Sequence, residues 1–200
     1  GQGMATVTTQ IACETLNLPP EMIVAEAPDT RRTPNSGTTT ASRQSLFTGE
    51  ATRRAAMQLR YELDMGRALS DLEGEEFYGE YSAKTDPLIN DKKSPVSHAG
   101  YGYAAEVAIL DDKGKVAKFV AAYDMGQVVN PRAAEGQIEG GIAMGMGYAL
   151  TEKFALEEGY VKAKYATLGL VNATQVPPIE TILVHADNLH EGLAYGIKGR

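Results

Sequence analysis

Tryptophan is missing from this chain of 200 residues, and cysteine, histidine and phenylalanine are scarce, with one Cys, three His and four Phe. Each shortage closes off a class of function. The single Cys13 excludes an intrachain disulfide, a cysteine zinc site and an iron–sulfur cluster held by this chain alone. His98, His185 and His190 show none of the paired spacings of a histidine metal site, so no metal ligand is expected from the protein. Basic charge is in deficit: 19 Lys and Arg stand against 26 Asp and Glu, for a net charge of −7. That excludes nucleic-acid binding through a basic face. No apolar run reaches the ~18 residues of a membrane span. No signal-peptide pattern is visible either, and the expected compartment is the cytoplasm.

Glycine, by contrast, is abundant, and it is concentrated where it is expensive. Residues 130–150 (NPRAAEGQIEGGIAMGMGYAL) read as a helix. Asn130 can cap the free N–H groups, and Pro131 at the first helical position loses nothing, because its missing N–H would have been unpaired. Gly136, Gly140, Gly141, Gly145 and Gly147 then sit inside the helix, and each interior Gly costs ~1 kcal/mol relative to Ala. The spacing of Gly136, Gly140 and Gly145 sets bare backbone along one side, with Gln137 beside it. Either another backbone packs tightly there, or a flat ligand does.

The rest of the chain reads in order as follows. Residues 4–18 have helical periodicity, with Gly1-Gln2-Gly3 ahead as a loop feeding a helix N-terminus, a geometry that presents N–H groups to an anion. Pro19 and Pro20 end that helix, and 22–27 (MIVAEA) is expected to be a short strand. Residues 29–45 (DTRRTPNSGTTTASRQS) form a loop of small hydroxyls and glycine before a helix start. This is either an anion site or a polar turn capped by Thr40 or Ser42. A long helix over 41–72, broken near Gly66, has Glu50, Arg53 and Arg54 as its solvated face. Residues 76–83 alternate as a strand, and 84–95 form a polar linker. Residues 98–110 and 116–124 form a hairpin about Asp111–Gly114, with Tyr101 and Tyr103 on one face as core or sheet-face packing. After the glycine helix come a strand pair or irregular connection around Gly159, a strand within 177–186 and a Gly-rich tail. Cys13 reads as a buried structural thiol, and Met144 and Met146 as core filler. The expected class is α+β, with antiparallel sheets packed on helices in two sub-units, 1–95 and 96–200. Both termini fall inside motifs, so a fragment of a longer polypeptide is expected.

Taken in register, the motifs resemble the molybdenum-cofactor-binding large subunit of the xanthine dehydrogenase and aldehyde oxidase family, in its C-terminal lobe. The matching stretches are Gly1-Gln2-Gly3, Asp29-Thr30 with SGTTTASRQ at 36–44, YGYAAEV at 101–107 and Asp124-Met125-Gly126 with Asn130-Pro131. GQIEGGIAMGMGYALTE at 136–152 and Gly196-Ile197-Lys198-Gly199 complete the series. The resemblance implies an oxidoreductase, a molybdenum hydroxylase that oxidises a carbon of a purine, another N-heterocycle or an aldehyde with oxygen from water. It implies a molybdopterin cofactor with molybdenum, extended in many bacterial members to a cytosine dinucleotide. Electrons leave through iron–sulfur clusters and FAD on other domains or subunits. The partners implied are these, the remaining lobe of the same subunit and a small-molecule substrate. By position, Gln2 and Gly3 match a loop on the pterin and phosphate; Ser42, Gln44 and Ser45 match the phosphate segment, with Gln44 in place of a hydroxyl. Thr40 and Ala41 match small residues lining the cavity beside the metal, and Gln137 matches a pterin contact. Carboxamides suit a pterin, because they can both donate to and accept from its edge. The family's catalytic base, a glutamate, is expected just past Arg200, so no catalytic residue lies in this chain. The competing reading is a paralogue that keeps the domain for structure or assembly without chemistry. A Gly-Glu continuation after Arg200 separates the two. A nucleotide-binding domain of another kind lacks its motifs here, with neither a phosphate loop nor a strand-linked Gly-x-Gly-x-x-Gly.

Overall fold

The computed structural model describes residues 3–26, 28–40, 42–87, 89–96, 98, 100–164, 166–185 and 193–198. Packing divides the chain into two compact units that interleave in sequence. The first comprises Gly1–Tyr103, Asp124–Val129 and His185–Arg200, the second Ala104–Tyr123 and Asn130–Val184.

Two helices form the first unit. Helix α1 (Met4–Leu16) buries Ile11 and Leu16. It stops at Asn17, whose φ of 54° is left-handed. The Asn17 and Leu18 N–H groups then close on the Cys13 carbonyl before the prolines intervene. Helix α2 (Gln44–Asp64) starts after the threonine loop and buries Leu46, Gly49, Glu50 and Ala56. A Cβ at Gly49 would lie 2.6 Å from Ile11 Cδ1, so the glycine lets α1 approach closely. The core here is Ile11, Leu46, Ala194 and Ile197, flanked by Val7, Phe47, Tyr81, Val129 and Tyr195. Burying an Ile or Leu of this kind stabilises by ~1.5–3 kcal/mol.

Two expected strands do not form among the described residues. Residues 22–26 follow a 3₁₀ turn, Pro20–Met22, and pair with no strand, with Val24 85% exposed. Residues 76–83 lie on α2 without a ladder. Gln58 Nε2 donates to the Tyr78 carbonyl at 2.7 Å and Arg54 Nη1 to that of Glu80 at 2.8 Å. A Cβ at Gly79 would fall 2.0 Å from the Ala51 carbonyl oxygen. Helix side chains have taken the carbonyls a neighbouring strand would have used.

The second unit carries a three-stranded sheet in the order β1 (Tyr103–Leu110), β2 (Val116–Asp124), β5 (Ile179–Leu183). The turn after β1 closes where expected: the Asp111 N–H donates to the Lys115 carbonyl, and the Gly114 N–H to that of Asp111. Strands β2 and β5 pair in parallel, from Phe119 with Ile179 to Tyr123 with Leu183. The α+β class stands, but the expectation of purely antiparallel sheets does not. A parallel pair needs a long crossover, and helix α3 (Pro131–Leu150) lies within it and packs on β5. Strands β3 (Leu156–Glu157) and β4 (Tyr160–Val161) pair antiparallel. Between them Glu158 (φ 50°) and Gly159 (φ 81°) are both left-handed, the geometry of a tight two-residue turn. Strand β1 is exposed along its whole length. Tyr101 and Tyr103 are 60% and 72% exposed, so they are not core residues. Among the described residues no helix is long and apolar enough to cross a membrane.

Candidate functional site

The expected cofactor contacts fall on three stretches, each described within its own unit. Gln2 and Ala41 lie outside the described residues. Gly3 precedes α1 with φ 77°, a left-handed value that a side chain would strain, and no side-chain oxygen caps the helix there.

The second stretch is the threonine loop. Neither Thr40 nor Ser42 caps α2. The N-cap is Arg43, which makes no side-chain capping bond. Ser42 has a left-handed φ of 53° and lies outside the helix. Arg43 instead folds back, donating to the Thr38 carbonyl and lying over the Phe47 ring at 5.2 Å. Gln44 is committed within its own segment: Oε1 accepts from Thr39 Oγ1 at 2.8 Å, and Nε2 donates to Thr48 Oγ1. Thr40 is exposed and Ser45 half-buried.

The third stretch is α3, which begins as its sequence dictates: Asn130 Oδ1 accepts from the Ala133 N–H at 3.0 Å, with Pro131 following. Ile138 and Ile142, one turn apart, and Gly147 are its buried residues. At Gly136, Gly140, Gly141 and Gly145 a Cβ would meet no described atom within 4 Å beyond the helix itself. These positions are open, not packed on another described backbone of the unit, but they do not form the single bare side expected: at 3.6 residues per turn Gly136 and Gly140 share a face, and Gly145 lies on the opposite side of the helix. Gln137, next to Gly136, is exposed, and its carboxamide has no hydrogen-bond partner among the described residues. Met144 is 62% exposed, so it is not core filler.

Sequence reasoning missed three features. The first is Glu50, assigned above to a solvated face. It is fully buried, and its carboxylate accepts from Arg53, from Arg54 and from the Ala194 N–H at 2.8 Å. Burial alone would raise its pKa; the two guanidiniums and the backbone N–H outweigh that and hold it at about 2. The signal was available in principle, as an acidic residue with Arg at both i+3 and i+4, next to a glycine. The second is the ion pair of Asp124 with Lys198, Oδ2 to Nζ at 2.6 Å. The Lys198 hydrogen bond lowers the Asp124 pKa. The third is a cavity of about 660 Å³ lined by Gln10, Cys13, Glu14, Gln127, Tyr195 and Ile197, among others. Cys13 is half-buried on its wall, not sealed in the core. Among the described residues no cluster of three or more His, Cys, Asp or Glu is placed to hold a metal ion.

This arrangement has relatives. A putative xanthine dehydrogenase molybdenum-binding subunit of Escherichia coli (strain K12) is 28% identical over 192 residues, covering 78% of this chain and 25% of the relative. An aldehyde oxidoreductase of Megalodesulfovibrio gigas is 31% identical over 166 residues, covering 74% of this chain and 18% of the relative. The crystal structure of the aldehyde oxidoreductase from Desulfovibrio desulfuricans superposes with a TM-score of 0.75 at 27% identity, over 99% of this chain and 23% of that one. The CO dehydrogenase from Oligotropha carboxidovorans also reaches 0.75, at 24% identity over 100% of this chain and 29% of that one, a likeness of fold alone. The chain thus spans less than a third of the length of these relatives. The family model described as a molybdopterin cofactor-binding domain matches residues 1–77 and 67–177. With most of its length so matched, the chain belongs to the molybdopterin cofactor-binding domain family, of the xanthine dehydrogenase and aldehyde oxidoreductase kind.

Proposed function

We propose that the chain is part of a molybdenum hydroxylase that oxidises a carbon of a purine, another N-heterocycle or an aldehyde, and that it supplies cofactor contacts but no catalytic base. The observation that carries this is the open backbone at Gly136 and Gly140 of α3 with the Gln137 carboxamide beside it, which has no hydrogen-bond partner among the described residues. A planar, donor- and acceptor-rich ring system fits bare backbone flanked by a carboxamide. The uncapped start of α2, with Ser45 in its first turn, fits a phosphate. These residues therefore suit a molybdopterin, with molybdenum carried on the cofactor and not on protein side chains. When bound, the cofactor supplies the two-electron oxidation of the substrate carbon with oxygen from water. The chain's part is to orient it. Gln2, Gly3 and the first turn of α2 bind the phosphate end. Gln137 pairs with the ring edge, Thr40 and Ala41 line the substrate side, and Gln44 braces the loop through Thr39 and Thr48.

In this reading the cofactor takes either the plain or the cytosine dinucleotide form. Iron–sulfur clusters and FAD on other domains or subunits receive the electrons. The remaining lobe of the same subunit completes the cavity, and the complex works in the cytoplasm. The exposure of β1 supports a further packing partner, since Val107, Ile109 and Leu110 all face solvent. The test is metal and pterin analysis of the full-length protein purified from its own cells. Stoichiometric molybdenum with a releasable pterin is expected; a protein with neither would end the reading.

A further inference from the structure

One face of α1 lines a cavity that the described cofactor contacts do not reach. Gln10, Cys13, Glu14 and Asn17 stand at i, i+3, i+4 and i+7, the last at the C-cap, so a single helical face carries all four. They border the cavity of about 660 Å³, which lies wholly within the first unit. That volume is ordinary for a small-molecule site, roughly 300–1,000 Å³. None of Gly3, Thr40, Ser42, Gln44, Ser45 and Gln137 lines it.

The walls are held by bonds between segments far apart in sequence. Gln10 Nε2 donates to the Val129 carbonyl at 3.0 Å, and the Gln127 N–H donates to the Gly196 carbonyl at 3.0 Å. The Tyr195 hydroxyl is 2.8 Å from Thr15 Oγ1. Ile11 and Ile197, both buried, join the cavity to the core of the unit. The cavity is therefore formed before any ligand arrives, which removes most of the ordering cost of binding.

A solvated helix face would explain the polar residues of α1 but not what surrounds them. Leu18, Pro19 and Val128 supply apolar wall, and Cys13 is half-buried. Glu14 carries the only formal charge among the lining residues, which include no Lys or Arg. The Glu14 carboxylate and the Asn17 carboxamide make no hydrogen bond or ion pair among the described residues. An ionised carboxylate only accepts, and a carboxamide can turn its oxygen toward a donor. One negative charge and free acceptors beside an apolar wall complement an ammonium group on an apolar body. An anion would meet a like charge there.

We propose that this cavity binds a small organic ammonium cation, with its charge on Glu14 and its apolar body against Leu18, Pro19 and Val128. The site is separate from the molybdenum hydroxylase reading, since no cofactor contact takes part in it.

The test uses the full-length protein and three probes of similar size: 2-phenylethylamine as the cation, 2-phenylethanol as the neutral analogue and 3-phenylpropanoate as the anion. Alkylation of Cys13 by N-ethylmaleimide, resolved on its own peptide by mass spectrometry, reports occupancy from α1. Amide hydrogen exchange over 127–129 reports it from the second wall. At millimolar concentration the amine is expected to slow Cys13 alkylation at least fivefold and exchange over 127–129 at least twofold. The alcohol and the carboxylate should change each by less than twofold. In Glu14→Gln the protection by the amine should be lost. Equal protection by all three probes, protection that survives Glu14→Gln, or no effect of the amine overturns the proposal. If maleimide does not reach Cys13 in the absence of probe, exchange over 127–129 decides by the same comparison. Molybdenum and pterin content, measured separately, bear only on the function proposed above.

Discussion

Replacing Gly136, Gly140 and Gly145 together with alanine should make the chain harder to unfold while emptying the full-length protein of cofactor. All three lie in the interior of α3, where a Cβ would meet nothing described within 4 Å beyond the helix. Each therefore carries the helical cost of glycine with no packing return inside its unit, ~1 kcal/mol relative to alanine. Three sites give about 3 kcal/mol, and for a chain of this size that is a rise of roughly 6–12 °C in Tm. Circular dichroism melts of wild type and triple variant read the first half of the prediction. Gly169→Ala is the opposing control: its φ is +82°, and a Cβ would lie 2.5 Å from the Thr151 carbonyl oxygen, so its Tm should fall. Pterin released from the full-length triple variant reads the second half, with loss of most of it expected. A Tm that stays level or drops would refute the claim that the three positions are open. A full complement of pterin would refute the claim that these glycines are kept for the cofactor.

Other outcomes follow from the first unit and the start of α3. Glu50 has a folded pKa of about 2 against an ordinary 4.5, so its contribution is fully present above pH 4.5 and is lost as pH falls toward 2. Its size is about 3 kcal/mol, and urea unfolding of wild type and Glu50→Gln between pH 7 and 3 should show the gap between them narrowing with acid. Gly126→Ala places a Cβ 2.2 Å from the Gly196 carbonyl at a positive φ. It should destabilise by more than about 1 kcal/mol and raise amide exchange at Gln127 and Lys198. Asn130→Ala removes the cap on α3, a loss of about 1 kcal/mol that a lowered Tm would register.

What the sequence made legible was mostly local chemistry. Asn130-Pro131 announces a helix start because a cap and a proline act on their own turn, and α3 begins there. The Asp111–Gly114 turn is legible for the same reason. Glu50 was not, because an acidic residue beside two arginines looks the same whether the group faces water or a backbone N–H 144 residues on. Residues 76–83 alternate like a strand, yet alternation describes an extended chain and not its partner, and here the partner is α2. The parallel pairing of β2 with β5 likewise depends on a contact across some 60 residues, which no local period encodes. At the candidate site, the start of α3 was readable, whereas the start of α2 at Arg43, the back-folding of that arginine and the self-pairing of Gln44 through Thr39 and Thr48 depend on loop geometry.

The buried cluster of Ile11, Leu46, Ala194 and Ile197 sets a timetable for biosynthesis. Helices α1 and α2 are made before the segment that covers them, so their shared apolar face lacks its lid, and Glu50 lacks its backbone donor, until Ala194 and Ile197 are made. At 5–20 residues per second, the 144-residue gap between Glu50 and Ala194 is about 7–30 s of elongation. During that interval the nascent helix pair exposes Ile11 and Leu46 to solvent, a period suited to holding chaperones and open to proteases. Completion of the first unit and delivery of the tail loop become one event, so nascent chains interrupted before Ala194 should be cleared and should not accumulate as folded intermediates.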